Sequence, residues 1–418
     1  MVCKILKSTI FTALSVLLFQ ASVSAQWGLY YQGSLLTGGK PHDLVVSDDY
    51  AFLGDWGAGF TVVDISNPRW PHQVYNYNTD GLANSVYVLD TVALVADWSH
   101  GIVIFDISDP ESPVYLSELN TPGVSYYIYA VGNYAYIADF NEGLAIADIS
   151  DPSDPVLVAS VPFDGLATGI CGAGNYIYVV SYPVGIETYD ITDPTSPSHV
   201  DTYTSSGTAV NISMLGNLLF LCDAASGVTV LSIADPSNPV QQSIVHTPFY
   251  ANDAAAVDTI LYVADDSAGV FAYSISNPMM PYELTGYDSP GIAKGICASD
   301  SNVYLGDFYS FIILVHTDTP TGIIEDEVGM PSTFSIESVY PNPFNPRAEV
   351  KLRITQDSDV SLDVFDITGR LVENIFKRRM SPGSYSVTWD GAEYPSGVYF
   401  FRLSGDGFTS VRKSTLLK

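Results

Sequence analysis

Asp55, Asp97, Asp139, Asp223, Asp265 and Asp307 fall on one 42-residue register, with Ser181 in the place between Asp139 and Asp223. A ring of carboxylates could hold a hard cation if several oxygens converged on one point. Each of these residues starts a turn, however, and the turns usually close on a glycine four residues later: Gly59, Gly101, Gly143, Gly185, Gly227 and Gly269. Repeated turn aspartates ordinarily bond their own backbone. The spacing therefore predicts turn chemistry and no metal site. The next residue is often aromatic: Trp56, Trp98, Phe140, Tyr182 and Phe308. The segments leading into the next repeat add His42, Asp43, Asn84, Tyr126, Thr168, Asn211, Asn252, Asp253 and Lys294. A constant register with varying residue types is the pattern of a rigid frame with binding tips. Aromatic faces beside amides suit sugars or peptides, and they can equally close the ends of strands. The predicted ligand-binding set is Trp56, Trp98, Tyr126, Phe140, Tyr182, Phe308, His42, Asn84, Asn252 and Lys294.

Catalytic patterns are missing from the sequence. It contains no GxSxG, HExxH, phosphate-binding loop or dinucleotide fingerprint. The six histidines are scattered at His42, His72, His100, His199, His246 and His316. His100, in Trp98-Ser99-His100-Gly101, is the one that a hydrolase could use, but a lone loop histidine is usually a solvated polar residue. No catalytic residue and no cofactor are predicted.

The elements that must position these residues come from the same repeat. Its clearest copy is Gly143-Leu144-Ala145-Ile146-Ala147-Asp148-Ile149-Ser150-Asp151-Pro152. Equivalent phrases begin at Asp64, Asp106, Asp148, Asp190, Ser232, Ser274 and His316, each 42 residues after the last. A period of this length means a repeat architecture. In the third copy, Tyr126–Val131 and Tyr134–Ala138 flank the hairpin residues Gly132-Asn133. Leu144–Ile149 follows the Asp139–Gly143 turn. Val156–Val161 comes after Pro155, which suits an outer edge. Three nearly continuous apolar strands and one edge strand make a unit covered on both faces, which is a propeller blade.

From Trp27 to Pro320 is 294 residues, or seven periods of 42. The last copy has strands at Gly295–Ala298, Val303–Gly306 and Phe311–Val315 and lacks a fourth. Leu29–Leu36 aligns with the fourth strands of the other copies and would complete it, removing the open edges of a linear array. The expected architecture is an all-β, seven-bladed propeller at 27–320. A β-helix or open solenoid explains neither the orphan strand nor the three-stranded last copy.

Composition divides the chain. Up to Met330 it carries 5 basic and 36 acidic residues, and from Pro331 on 11 and 10, within totals of 16 and 46. A strongly acidic body repels phosphate backbones and anionic lipid, so no nucleic-acid partner is expected. Lys4 and Lys7, the apolar Ile10–Phe19 and Val23-Ser24-Ala25 read as a signal peptide over 1–25. No later segment is apolar enough to anchor the mature chain in a membrane. Cys3 leaves with the signal. Cys171, Cys222 and Cys297 have neither metal spacing nor close partners and read as small buried apolar residues.

The runs GFTVVDISNP, GIVIFDISDP, GLAIADISDP and GIETYDITDP resemble the LVIVD repeat of bacterial secreted and surface proteins. The resemblance covers Trp27–Pro320, with weaker copies five to seven. It implies a propeller and assigns no activity.

Thr321–Thr333 reads as a linker. Beyond it Ser338–Pro346 is a rigid, proline-studded segment. Glu349–Ile354, Val360–Asp366, Leu371–Phe376, Ser384–Trp389, Val398–Leu403 and Thr409–Leu416 read as strands, with turns at Thr368-Gly369 and Pro382-Gly383. Short strands and frequent turns predict a small Ig-like sandwich at 334–418. The module resembles the type A C-terminal sorting domain of the type IX (Por) secretion system. The matching residues are YPNPFNP at Tyr340–Pro346, Val364–Arg370, Trp389-Asp390-Gly391, Ser396–Phe400 and the basic end Arg412–Lys418. Sorting residues carried over by that likeness are Tyr340, Pro341, Asn342, Pro343, Gly369, Arg370, Gly397, Tyr399, Lys413 and Lys418. The likeness implies the type IX machinery as a partner and a secreted or outer-surface address, reached through the periplasm of a Gram-negative-type bacterium.

A secreted or surface binding propeller with a glycan or protein ligand is the function expected from these features. An extracellular propeller hydrolase or lyase acting on glycans, or a structural surface-layer component, are the alternatives. An enzyme would need an acid/base pair at the channel mouth. A binding module would show an aromatic–amide patch without perturbed carboxylates.

Overall fold

Alternating hydrophobicity and turn residues are realised as strands almost throughout the computed structural model, which describes residues 28–299, 301–317, 334–341, 344–354, 357–366, 370–405 and 408–418. The segments read as signal peptide (1–25) and linker (321–333), and Asn342, Pro343 and Gly369, lie outside the described residues.

In the third copy, Tyr127–Val131, Tyr134–Ala138, Leu144–Asp148 and Val156–Val161 pair antiparallel in chain order. Gly132 turns the first hairpin at a φ of +61°, a conformation that costs glycine nothing. Leu144–Asp148 is buried along its apolar length, whereas Val156–Val161 is half exposed, so the proline-led strand is the outer edge. Outer edges carry a register shift in several copies, at Ile104/Phe105, Ile146/Ala147, Val230/Leu231 and Ala272/Tyr273. Such bulges blunt an edge against pairing with a second chain.

Seven four-stranded antiparallel sheets of this kind occupy the described residues from Gly28 to Thr317. Six follow chain order. In the remaining one, Gly295–Ala298, Asn302–Gly306 and Phe311–Thr317 are joined by Gly28–Leu35, which pairs antiparallel with Phe311–Thr317. The innermost strands are Asp43–Ser47, Ser85–Leu89, Tyr127–Val131, Leu166–Ala173, Asn211–Leu215, Asp253–Val257 and Gly295–Ala298. Each lies against the next, and Gly295–Ala298 lies against Asp43–Ser47. Apolar residues of neighbouring sheets form shared cores. Leu94, Ile102 and Ile104 pack with Ile128, Ala135 and Ile137. Leu44, Leu53 and Val63 pack with Tyr304, Phe311 and Ile313. All-β sheets of this design fit a β-propeller. Cys171 and Cys222 are buried, Cys297 is half-buried, and all three are unpaired thiols.

The C-terminal residues form two further sheets. One is Phe334–Tyr340, Arg347–Ile354 and Gly383–Asp390. The other is Leu371–Met380, Ser358–Asp366, Gly397–Gly405 and Phe408–Leu416. Arg347–Ile354 alternates exposed and buried residues, as a half-buried strand must. Both sheets contribute to one core around Trp389, with Phe344, Val350, Leu352, Leu362, Val364 and Phe401. The segment read as a proline-studded lead-in is partly a strand. Phe334–Tyr340 pairs with Arg347–Ile354 through a register shift at Ile336/Ser338. Pro341, next after Tyr340, ends that strand, because proline cannot donate to a ladder.

Candidate ligand-binding face

The aspartate turns are built from backbone bonds. Asp55 N–H donates to Gly59 O at 2.9 Å, and Asp97 to Gly101 O and Asp139 to Gly143 O at 2.8 Å each. The residue after each aspartate is forced to positive φ: Trp56 (+34°), Trp98 (+53°), Phe140 (+42°) and Phe308 (+57°), with Ala224 and Asp266 at equivalent places. A bulky side chain in that region is strained and persists only where its surroundings over-determine it. Here the next repeat does so: Trp56 pairs with Ala83, Trp98 with Ser125 and Phe140 with Ala167 across isolated bridges. The turns and the segments entering the next sheet are thereby brought to one face.

The aspartate carboxylates depart from the expected role. They bond the loop that precedes their own sheet, and in Asp223 also the strand after the turn, not the turn itself. Thr37 Oγ1 and Gly39 N donate to Asp55, Thr79 Oγ1 and Gly81 N to Asp97, Thr121 Oγ1 and Gly123 N to Asp139, and Ser289 Oγ and Gly291 N to Asp307. Asp223 accepts from Ser205 and Thr229, and Asp265 from Phe249 N. Ser181 replaces this with one bond of opposite sense, its hydroxyl donating to Asp164 O at 2.8 Å. Burial pushes the carboxyls up, Asp55 to about 6 and Asp307 to about 7, while the donors pull the other way. Asp97, Asp139, Asp223 and Asp265 are raised for the same reason.

His42, Asn84, Tyr126, Asn252 and Lys294 share the register just before the inner strands and mark one end of their circuit, its mouth, whereas Thr168, on the same register, falls inside the longer strand Leu166–Ala173. Asn84 Nδ2 donates to Tyr126 O at 2.8 Å, forty-two residues on. Asn252 Nδ2 donates to Ala293 O at 2.8 Å, and Lys294 Nζ reaches Asn252 Oδ1 at 3.2 Å and Asp266 Oδ2 at 3.3 Å. The His42 ring keeps some exposed surface yet is enclosed by the mouth. That burial, and then the Lys294 charge, lowers it to about 4. The imidazole is therefore neutral in ordinary buffers.

Asp43, Asn211 and Asp253, grouped with the loop tips by sequence, sit one step deeper as the first residues of inner strands. They clamp neighbouring strands. Asp43 Oδ2 accepts from Val86 N at 3.2 Å, and Asp253 Oδ2 from Ile296 N at 2.9 Å. Asp253 Oδ1 accepts from Asn211 Nδ2 at 2.8 Å. Burial lifts Asp253 to about 7, and burial followed by the Asp253 charge lifts Asp43 well up.

The aromatics form a belt on part of the mouth. Tyr126 lies 5.5 Å from Phe140, 5.6 Å from Trp98 and 6.4 Å from His42. His42 lies 6.0 Å from Trp56, which lies 6.5 Å from Phe308. Tyr182 stands apart from this belt. It is near Tyr250, whose hydroxyl is raised by burial and then by Tyr182 and Asp266. Sequence reasoning missed Tyr250 and Lys40. Lys40 Nζ lies 4.4 Å from the Phe308 ring and 5.3 Å from that of Trp56. The available signal was scarcity: from Trp27 to Pro320 the only basic residues are Lys40, Arg69 and Lys294. His100 is exposed, and its imidazole meets Ser99 Oγ at 3.5 Å.

Of the sorting residues, Tyr340 is exposed and Arg370 Nε bonds Asp366 Oδ2 at 3.0 Å. Gly397 opens a strand, Tyr399 Oη donates to Pro395 O at 2.8 Å, and Lys418 Nζ donates to Ala392 O. Lys413 Nζ reaches Asp288 Oδ1 at 2.6 Å.

Repeated four-stranded sheets in a circuit, with an aromatic cluster at one end and a separate β unit, define a β-propeller protein with an appended module. Residues 38–79, 80–121, 122–162, 164–205 and 206–247 match the LVIVD repeat, and 338–416 match the secretion system C-terminal sorting domain. The chain belongs to the LVIVD-repeat family and carries that sorting domain. The sorting domain marks it as a protein secreted or attached at the surface through type IX secretion. No helix among the described residues is long and apolar enough to cross a membrane. The β-propeller domain of Myceliophteria thermophila Cps50 (Swd1) is similar in structure, with a TM-score of 0.58 at 11% identity over 69% of this chain and 100% of that one. The computationally designed Ika8 protein is similar with a TM-score of 0.50 at 11% identity, over 68% of this chain and 99% of that one. At such identity the likeness concerns fold alone. No curated protein sequence matches the chain.

Proposed function

We propose that this is an exported binding protein whose propeller holds an extracellular glycan or protein ligand at the aromatic mouth of its channel. In this reading residues 1–25 are the signal peptide, 27–320 a closed seven-bladed propeller, 321–333 a linker and 334–418 an Ig-like sorting module. Closure is supported by the unbroken circuit of inner strands and by Gly28–Leu35 completing the last sheet. The Ig-like reading is supported by two sheets sharing one core and by the Tyr399 hydroxyl bonded back to Pro395 O.

The observation that carries the binding reading is the belt Phe140–Tyr126–His42–Trp56–Phe308, aimed at one mouth by strained, pinned turns. Strain of this kind concentrates where side chains must be placed for a partner. Asp43 and Asp253, the perturbed channel carboxyls, are engaged by backbone amides of the next strand. That role is structural and leaves the binding reading ahead of an acid/base one. The test is a screen of the mature full-length chain against immobilised glycans and matrix proteins. A hit that disappears with Tyr126→Ala and survives Tyr115→Ala, on an outer strand, supports the reading. A hit with the opposite dependence, or turnover of a glycan without retention, ends it.

A further inference from the structure

We infer that the cleft between Lys40 and Trp56 is a subsite for the carboxylate of a uronic-acid residue in a bound glycan. The inference rests on the proposed binding mouth and gives its ligand a chemistry. The cleft has a volume of about 430 Å³ and is lined by Gly38, Gly39, Lys40, Trp56, Gly57 and Leu82. That volume is in the range of small-molecule sites. Three glycines leave its walls without side chains, and a Cβ added at Gly57 would meet nothing within 4 Å. A sugar ring has room beside the indole.

Charge selects the ligand. The propeller region has three basic residues against a large acidic excess, and two of them stand at this mouth. Arg69 lies at the other end of its sheet, in the Asn67–Trp70 turn. Lys294 is paired with Asp266 at 3.3 Å. Lys40 has no carboxylate partner among the described residues. Its ammonium rests on the faces of Phe308 and Trp56, a contact that holds a cation in place and still leaves its N–H donors available. The Trp56 Nε1 is buried and has no hydrogen-bond partner among the described residues. A buried indole N–H normally finds one. No acidic side chain lines the cleft, and the nearby Asp55 carboxylate is engaged by Thr37 and Gly39. An ammonium without a carboxylate partner, beside an aromatic face, suits an anionic, acceptor-rich ring.

An acidic peptide carries the same charge but fits less well. The main-chain groups of Trp56 are already paired with Ala83, at 3.0 and 3.2 Å, so an extended peptide finds no open ladder there. The acidic body also disfavours a long polyanion, which confines the match to an isolated uronate or a short run.

The test is calorimetric titration of the mature full-length chain with trigalacturonate, with its carboxyl-reduced neutral counterpart and with a glutamate-rich peptide. Trigalacturonate is expected to bind at least about tenfold more tightly than the reduced sugar. Lys40→Met should erase that ratio, whereas Lys40→Arg should keep it, with thermal melts confirming that both variants fold. Raising the salt concentration should weaken the uronate and leave the neutral sugar unchanged. Equal binding of both sugars, lost together in Trp56→Ala, overturns the carboxylate subsite and leaves the mouth as the binding site. Lys40-dependent binding of the peptide without the sugars replaces the glycan by a protein ligand. No binding of any probe, or uronate binding indifferent to Lys40→Met, overturns the inference outright.

Discussion

Thr79 donates its hydroxyl to Asp97 Oδ1 at 2.5 Å, across eighteen residues, while Gly81 N donates to Oδ2 at 2.8 Å. One buried carboxylate thus fixes the loop entering its sheet to the turn inside that sheet. Asp97→Ala leaves a buried hydroxyl and a backbone N–H unpaired. Each such orphan costs roughly 1–3 kcal/mol, so the variant should lose about 2–4 kcal/mol in a denaturant titration. Asp109→Ala removes one exposed turn bond, to Glu111 N at 3.2 Å, and should cost about 1 kcal/mol or less. Equal losses at the two sites would refute the tethering role of Asp97.

The pH dependence follows from the raised carboxyls. Asp55 at about 6 and Asp253 and Asp307 at about 7 hold their protons more tightly folded than unfolded. Between about pH 4 and 7 the folded state then binds more protons than the unfolded one, so stability falls as pH rises. His42, lowered to about 4, acts in the opposite sense between its folded and ordinary values. It is one group against several. The turn aspartates Asp64, Asp106, Asp148 and Asp190 are lowered by hydrogen bonds from their own turns and lose their contribution only in stronger acid. The melting temperature should therefore be highest near pH 4–5 and fall toward pH 8. Asp307→Asn should flatten that slope, and a melting temperature that rises steadily to pH 8 would contradict the assignment.

Much of this was legible before any coordinates. Strand positions followed from a 42-residue register, because a repeat sums a weak local pattern many times over; Tyr134–Ala138 and Val156–Val161 coincide with the expected spans. The pairing of Gly28–Leu35 with Phe311–Thr317 followed from counting strands. Partners of the aspartates did not follow. A carboxylate bonded sixteen or eighteen residues upstream leaves the same local sequence as one bonded within its turn. Asp43, Asn211 and Asp253 were displaced by one register step, since a strand's first residue and a loop's last residue look alike. Lys40 was passed over because the residues on its register, Leu82, Val124, Leu166, Thr208, Tyr250 and Ile292, share no residue type with it. Its meaning comes from Phe308, 268 positions away in sequence and adjacent in space.

The latch can be tested by deleting residues 28–35. Leu29 packs in a buried cluster with Ile312 and Leu314, and the strand covers the edge of Phe311–Thr317. Its loss removes a whole ladder and several apolar contacts, several kcal/mol in all. For a domain of this size that corresponds to a fall of roughly 10 °C or more in the melting temperature. The bared edge should also promote self-association, visible in size-exclusion chromatography. A truncated chain that melts with the full one and stays monomeric would remove the latch.

Export is tested in the native host by removing residues 334–418. The two C-terminal sheets have their own core around Trp389, so the remaining sheets should still fold. The truncated protein should accumulate in the periplasm, detected by fractionation and immunoblotting. Its normal appearance outside the cell would show that the sorting domain is not needed for this chain.

The working face itself gives the sharpest contrast. Tyr126 touches Trp98, Phe140 and His42, while Tyr182 has no ring contact with that belt among the described residues. Truncating an anchoring aromatic typically costs ~2 kcal/mol or more, roughly thirtyfold in affinity. Tyr126→Ala should therefore weaken ligand binding most, because it also removes the support of its neighbours. Trp56→Ala and Trp98→Ala should follow, and Tyr182→Ala should matter least. Asp109 and Asp151 lie in the turns at the other end of their sheets, where Asp151 bonds Ser153 N at 3.0 Å and Ser153 Oγ at 2.6 Å. Their alanine variants should lower stability by about 1 kcal/mol and leave affinity unchanged. Titration of all six variants with one ligand decides between the faces. Unchanged affinity in the four aromatic variants, with loss in the two aspartate variants despite intact folding, would move the site to the opposite end of the channel. Equal loss at Tyr182 and Tyr126 would instead mean that the ligand spans the whole mouth, beyond the belt.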